Sequence, residues 1–165
     1  MDVYAGQLLE RIPAKSPWVN YIAAAFARRE VGLHVAVFAE PFLSRALCGQ
    51  KTMESRFSRN RCAPFDAVGD GDIILMKAVG GPICGLVLAG HVRFFDLAFQ
   101  SLGHIRATYG AAICAEDAFW DARRDVSYAS LIELAEPIAI APLVYGKRDR
   151  RGWVTLRSRQ AMFDF

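Results

Sequence analysis

Two apolar runs, Ile73 to Met76 and Ile83 to about Phe94, are joined by Gly80-Gly81-Pro82, and they restrict the possible folds more than any other stretch of the chain. Runs rich in isoleucine, leucine and valine and bounded by turn residues read as strands, and the glycine and proline turn makes this pair a β-hairpin. The tight turn Gly69-Asp70-Gly71-Asp72 precedes the first run, and Lys77 ends it. The second run is long for a strand, and Gly85 or Gly90 marks where it bends.

Further strands follow from alternation and β-branched content: His34 to Phe38, Thr52 to Phe57, Tyr128 to Glu136 and Ile138 to Val144 divided by Pro137, and a closing Gly152 to Leu156. Helical signals are fewer. Ser16 reads as an N-cap with Pro17 at the first helical position, opening an alanine-rich helix to Glu30 that Gly32 stops. Glu40 to Cys48 returns to helical spacing and ends at Gly49, and Asp96 to about Tyr109 and Glu116 to Arg124 are the other two candidates. Strands outnumber helices, which predicts an α+β fold: an antiparallel or mixed β-barrel with peripheral helices.

At 165 residues and 53% hydrophobic content the chain fits one continuous core. Within it, residues 1–31 form an N-terminal helical extension and residues 32–165 the barrel domain. The alanine-rich face of that extension serves either a partner or the barrel itself. The longest apolar runs, 18–27 and 83–92, are interrupted by Asn20 and His91 and fall short of the roughly 20 residues a bilayer span needs, so no membrane partner is expected. With no basic leader at the start, the expected location is cytoplasmic. Cys48, Cys62, Cys84 and Cys114 show no C-x-x-C pair, and the histidines lack zinc-ligand spacing. Neither metal nor cofactor is expected.

The net charge of +3 conceals a strong segregation. Between Ser44 and Arg61, five basic residues (Arg45, Lys51, Arg56, Arg59 and Arg61) face only Glu54. Between Lys147 and Arg159, six (Lys147, Arg148, Arg150, Arg151, Arg157 and Arg159) face only Asp149. If the fold unites the two segments, they make an anion-binding surface; if not, they are two solvated faces.

The first basic segment contains Gly49-Gln50-Lys51-Thr52-Met53-Glu54-Ser55-Arg56. Gly49 permits the left-handed turn that ends a helix, and Lys51 then sits at the mouth of that turn. Thr52, Glu54 and Arg56 share one strand face, where the glutamate and arginine can pair and leave guanidinium donors for a phosphate or carbonyl. Gly49, Lys51, Glu54 and Arg56 fit G-x-K-x-x-E-x-R, and in this setting between a short helix and a strand the octet resembles the signature of the ASCH family. That family is similar in fold to the PUA domains of RNA-modifying enzymes. Gly71-Asp72, Gly80-Gly81-Pro82, Gly85 and Gly152-Trp153 resemble the longer bacterial members, and the likeness runs over roughly residues 33 to 157.

The resemblance implies a PUA-like barrel that associates with RNA or a nucleotide-like small molecule. The residues expected to hold such a ligand are Lys51, Arg56, Arg59, Asn60, Arg61, Lys77, Arg150 and Arg151, with backbone-type contacts that carry affinity without base choice. Tyr109, Trp120 and Tyr128 are candidate stacking surfaces. The alternative is a hydrolase, since small ASCH proteins include amidohydrolases acting on acylated cytidine, and ribonuclease activity occurs in the family. In the amidohydrolase pattern the residue three after the lysine is a hydroxyl nucleophile; here it is Glu54, so the hydroxyl would come from Thr52 or Ser55, with Lys51 as base, and Ser55 faces the opposite side of the strand, which leaves Thr52 the better candidate. For phosphodiester cleavage, Lys51 would stabilise charge and Glu54 act as general base.

Overall fold

The structure is a computed structural model that describes residues 3–146 and 150–160. Six strands form one sheet: β1 (Leu33–Phe38), β2 (Met53–Ser58), β3 (Ile73–Ala78), β4 (Ile83–Asp96), β5 (Tyr128–Leu143) and β6 (Trp153–Arg157). They lie in the order β2-β5-β4-β3-β1-β6, antiparallel throughout except for the parallel β1 and β3 pair. The expected hairpin is β3 and β4, with Ile73 opposite Leu88 and Leu75 opposite Leu86.

The sheet curls because its two longest strands are bulged. β4 shifts register against β5 between Ile83 and Gly85, Leu86 and Leu88, and Ala89 and Val92, and each extra residue adds local twist and bend. At Gly85 an added Cβ would lie 2.5 Å from the Leu47 side chain and 3.2 Å from the Ile138 carbonyl, so only glycine lets a helix seat this close to the strand. Pro137 does not divide the chain into two strands, as expected from sequence; β5 runs through it. Glu136 takes a left-handed conformation (φ 53°) and the register slips by one residue there, which places the proline in a bulge where its missing N–H breaks no ladder bond. The Glu136 carbonyl released by the bulge accepts the Trp18 indole N–H at 2.8 Å.

Among the described residues five helices flank the sheet: α1 (Val3–Leu9), α2 (Trp18–Ala27), α3 (Phe42–Leu47), α4 (Leu102–Ile113) and α5 (Asp117–Asp121). β1 and β3 bury both faces, as four apolar residues in a row on β3 require. Leu33, Val35, Ile73 and Leu75 pack outward on Leu8, Ile12, Trp18 and Ile22 of the N-terminal helices, whereas Ala36, Phe38, Ile74 and Met76 pack inward with Val87, Ile132 and Trp153. The apolar face of α2 therefore covers the chain's own barrel. A third cluster joins Ile105, Ile113 and Trp120 to Met53, Ala129 and Leu131. α4 begins at Leu102, later than the expected Asp96, because Ser101 caps it by accepting from the His104 N–H at 3.0 Å. Asp96 instead closes a turn by accepting from Ala98 N–H.

One polar network is sealed inside this frame. Asp72, fully buried, accepts from the backbone N–H of Gly32 (2.7 Å) and Gly69 (2.8 Å), from Arg159 Nε (2.6 Å) and from His34 Nε2 (3.0 Å). The Trp153 indole can only donate, and it points at His34 Nδ1 at 3.2 Å, so the imidazole proton lies on Nε2, facing the carboxylate. Burial pushes the Asp72 carboxyl upward, but the bonds from His34, Gly69, Gly32 and Arg159 together outweigh it and hold the group below its ordinary value. A carboxyl held low in the folded state stabilises fully above the unfolded value near 3.9 and loses that contribution as pH falls through the folded value. Asp72→Asn is expected to lower stability at pH 7 by about 3 kcal/mol. In urea titrations its deficit against the parent should shrink as pH falls below about 4.

Candidate nucleic-acid interface

The octet sits where the two sheet edges, β2 and β6, approach each other. Gly49 ends α3 with φ of 80°, a left-handed turn that a Cβ would strain. The chain then passes inward: Lys51 N–H donates to Arg45 O (2.9 Å) and Thr52 N–H to Ala112 O (3.1 Å). This carries Lys51 beneath the surface, not to the mouth of the turn as its position in sequence suggested. Its residue is 3% exposed, and Nζ donates to the carbonyls of Met53 (2.7 Å) and Ile113 (2.8 Å). Nζ lies 3.4 Å from Glu54 Oε2, an ion pair without hydrogen-bond geometry, and 5.2 Å from the centre of the Phe42 ring. Burial pulls the Lys51 ammonium below its ordinary pKa, with the Glu54 carboxylate opposing.

Glu54 and Arg56 pair as two same-face strand residues should. Arg56 Nε donates to Glu54 Oε1 at 2.8 Å. Arg56 reaches further: its two terminal nitrogens donate to Val37 O on β1 (2.7 Å) and to Gly152 O just before β6 (3.1 Å). Its guanidinium also lies 5.4 Å from the Phe38 ring centre and 5.6 Å from that of Trp153. One side chain thus ties β2 to β1 and to the start of β6. Three of its five N–H groups are engaged in this way, leaving one on each terminal nitrogen.

Beside this tie lies a hollow of about 210 Å³, walled by Phe38, Phe42 and Phe119 and by Glu54, Arg56 and Arg123. Arg123, just past the end of α5, is not among the site residues expected from sequence. It lies over the Phe119 ring, 3.4 Å from its centre, and donates to Phe119 O at 2.8 Å. Burial lowers its pKa, the Glu54 carboxylate opposing. The local signal for it, Phe119 four residues before an arginine on a helix, is too common to single out a site.

The other expected site residues divide into groups. Arg59, Asn60 and Arg61 are exposed on the bend after β2; the Asn60 carbonyl accepts from Ser58 Oγ at 2.6 Å, and the Arg61 guanidinium lies 5.2 Å from the Tyr128 ring centre. Arg150 and Arg151 are exposed immediately before Gly152, whose carbonyl accepts from Arg56. Lys147 and Arg148, counted in that segment, lie outside the described residues. Thr52 is exposed, just before β2, and does not line the hollow. Lys77 is half-buried, donates to Ala78 O at 3.2 Å, and is likewise outside the lining. Of the aromatic candidates, Trp120 is a core residue at 3% exposure, Tyr109 packs against Phe95, and Tyr128 packs against Phe65. Arg157 and Arg159 are committed elsewhere, to Ala25 O and Val31 O and to Asp72. Among the described residues, no group of three or more His, Cys, Asp or Glu side chains could hold a metal ion, and no helix is long and apolar enough to cross a membrane.

The curled mixed sheet with helices at its rim is a PUA-like α+β fold. Within that class the chain has the ASCH-domain fold. It superposes on the crystal structure of ASCH from Zymomonas mobilis with a TM-score of 0.62 at 16% identity, over 78% of this chain and 89% of that one. Two point variants of the same protein match with TM-scores of 0.61 and 0.62 at 15% and 14% identity, over 76% and 78% of this chain and 90% of each. No family model and no curated protein matches the sequence.

The buried position of Lys51 predicts a structural cost for its removal. Lys51→Met leaves two carbonyls without their donor and Glu54 without its second cation, and should cost about 3–5 kcal/mol. For a chain of this length that is a fall in Tm of about 10 °C. Arg59→Ala, at an exposed position, should stay within about 0.5 kcal/mol of the parent in the same thermal melts.

Proposed function

We propose that this chain is a member of the ASCH family that binds RNA or a nucleotide-like ligand in the hollow beside Arg56, with residues 32–165 as the ASCH domain and 1–31 as its helical extension. The observation that carries this reading is the charge balance in the lining of the hollow: two arginines, Arg56 and Arg123, against a single carboxylate, Glu54. The surplus is positive, the walls are aromatic, and Arg56 keeps unused donors. An anion with a flat ring attached satisfies all three features, and a nucleotide is such a ligand. Arg59, Asn60, Arg61, Arg150 and Arg151 would extend the contact along the backbone of a longer strand, supplying affinity that does not depend on sequence.

The geometry favours holding over hydrolysis. Lys51 spends its donors on Met53 O and Ile113 O; of the two candidate hydroxyls Thr52 is outside the lining of the hollow, and Ser55, which lies in it, is buried at 7% exposure. Fluorescence anisotropy with short single-stranded RNA, repeated over a range of salt concentrations, tests the binding. Affinity should fall steeply with salt, and Arg123→Ala should weaken every sequence alike and reduce the slope of log K against log salt by about 0.7. Unchanged affinity and slope in Arg123→Ala, or salt-independent binding by the parent, would count against the reading.

A further inference from the structure

Arg56 lines a second hollow as well as the first. On the Gly152 side of its guanidinium, Phe57, Ser58, Cys62, Pro64, Gly152 and Trp153 enclose about 190 Å³. Val37, which accepts from one terminal nitrogen, belongs to the lining of the first hollow, and Gly152, which accepts from the other, to that of the second. The guanidinium is therefore the partition between two cavities, with one unused N–H on the terminal nitrogen at each side. Building on the binding function proposed above, we infer that the hollows are adjacent subsites for consecutive units of one single strand. The phosphodiester between those units is held at Arg56, so the preferred ligand is a dinucleotide or longer, not a mononucleotide.

Three features support this arrangement. Each hollow alone is smaller than the roughly 300 Å³ at which complete small-molecule sites begin, and the two joined across Arg56 come within that range. The first hollow is walled by the partly exposed rings of Phe42 and Phe119, on which an unpaired base can stack without regard to its identity, and the second, beside Trp153, has room for the next unit. The exposed basic residues also flank the second hollow: Arg59 to Arg61 lie between its Ser58 and Cys62 walls, and Arg150 and Arg151 run directly into Gly152. A strand leaving the second hollow meets further phosphate donors there.

Calorimetry comparing dinucleoside monophosphates with nucleoside 5′-monophosphates at one ionic strength tests the inference. A phosphomonoester carries close to two charges and a phosphodiester one, so attraction by charge alone favours the mononucleotide. Two subsites reverse that order, and the dinucleotide should bind at least about tenfold more tightly. Cys62→Trp, at an exposed position on the wall of the second hollow, should fill it and remove the difference between the two ligands. Mononucleotides binding as tightly as dinucleotides, or a preference that survives Cys62→Trp, would overturn the two-subsite arrangement and leave the binding function intact. Absence of binding by both ligands and by longer single strands would overturn the binding function with it.

Discussion

The Arg56 guanidinium holds the two free edges of the sheet together, and the rest of the site is arranged around that bond set. A six-stranded sheet that curls without closing leaves an edge strand on each side, and here those strands are β2 and β6. Arg56 projects from β2 and donates to backbone carbonyls on β1 and at the entrance to β6. A planar fork does this from two separate terminal nitrogens while its Nε still serves Glu54, whereas a lysine would have to reach all three acceptors from one nitrogen. Half-burying a guanidinium is costly unless its charge is met, and Glu54 meets it on the same strand face at 2.8 Å. Glu54 in turn lies over the buried ammonium of Lys51, whose own donors go to backbone carbonyls. The octet is thus a chain of charges running from the core to the sheet edge, in which each member makes the burial of the next tolerable.

The proposed ligand site follows from that construction. Where two sheet edges are bridged by one side chain and not by a full ladder, gaps remain on either side of the bridge, and these are the two hollows. Their walls are aromatic because the surrounding clusters pack phenylalanine and tryptophan against β2 and β1. The donors that remain on Arg56 are already fixed in place by the bonds that close the sheet, so a ligand pays little ordering entropy to use them. The buried Asp72 network, on the turn that opens β3, is a separate device. It joins β1, the Gly69 turn and Arg159, and Trp153 connects it to the octet, donating to His34 while its ring lies 5.6 Å from the Arg56 guanidinium.

The hairpin of β3 and β4 was legible because its signal is local: apolar runs of the right length around a glycine and proline turn. The pairing of Glu54 with Arg56 was legible for the same reason, since residues two apart on a strand must share a face. Pro137 misled because its local meaning, a strand end, was overridden by a bulge that only the pairing with β4 defines. The start of α4 was misplaced because Asp96 and Ser101 both carry side chains that can cap, and only the folded backbone decides which one caps a helix and which closes a turn.

The sequence by itself therefore determined the strands, the class of fold, and the charged octet with its internal ion pair, all of which depend on the periodicity and chemistry of neighbouring residues. It also showed two basic segments without saying whether they meet. Only the tertiary structure decided that Arg56 reaches the Gly152 carbonyl beside Arg150 and Arg151, that Lys51 lies in the interior, and that Arg123 and Phe119 complete the wall of the first hollow. Those facts depend on how far a curled sheet brings its edges together. That distance is set by bulges and packing spread over the whole length of β4 and β5, and no stretch of neighbouring residues encodes it.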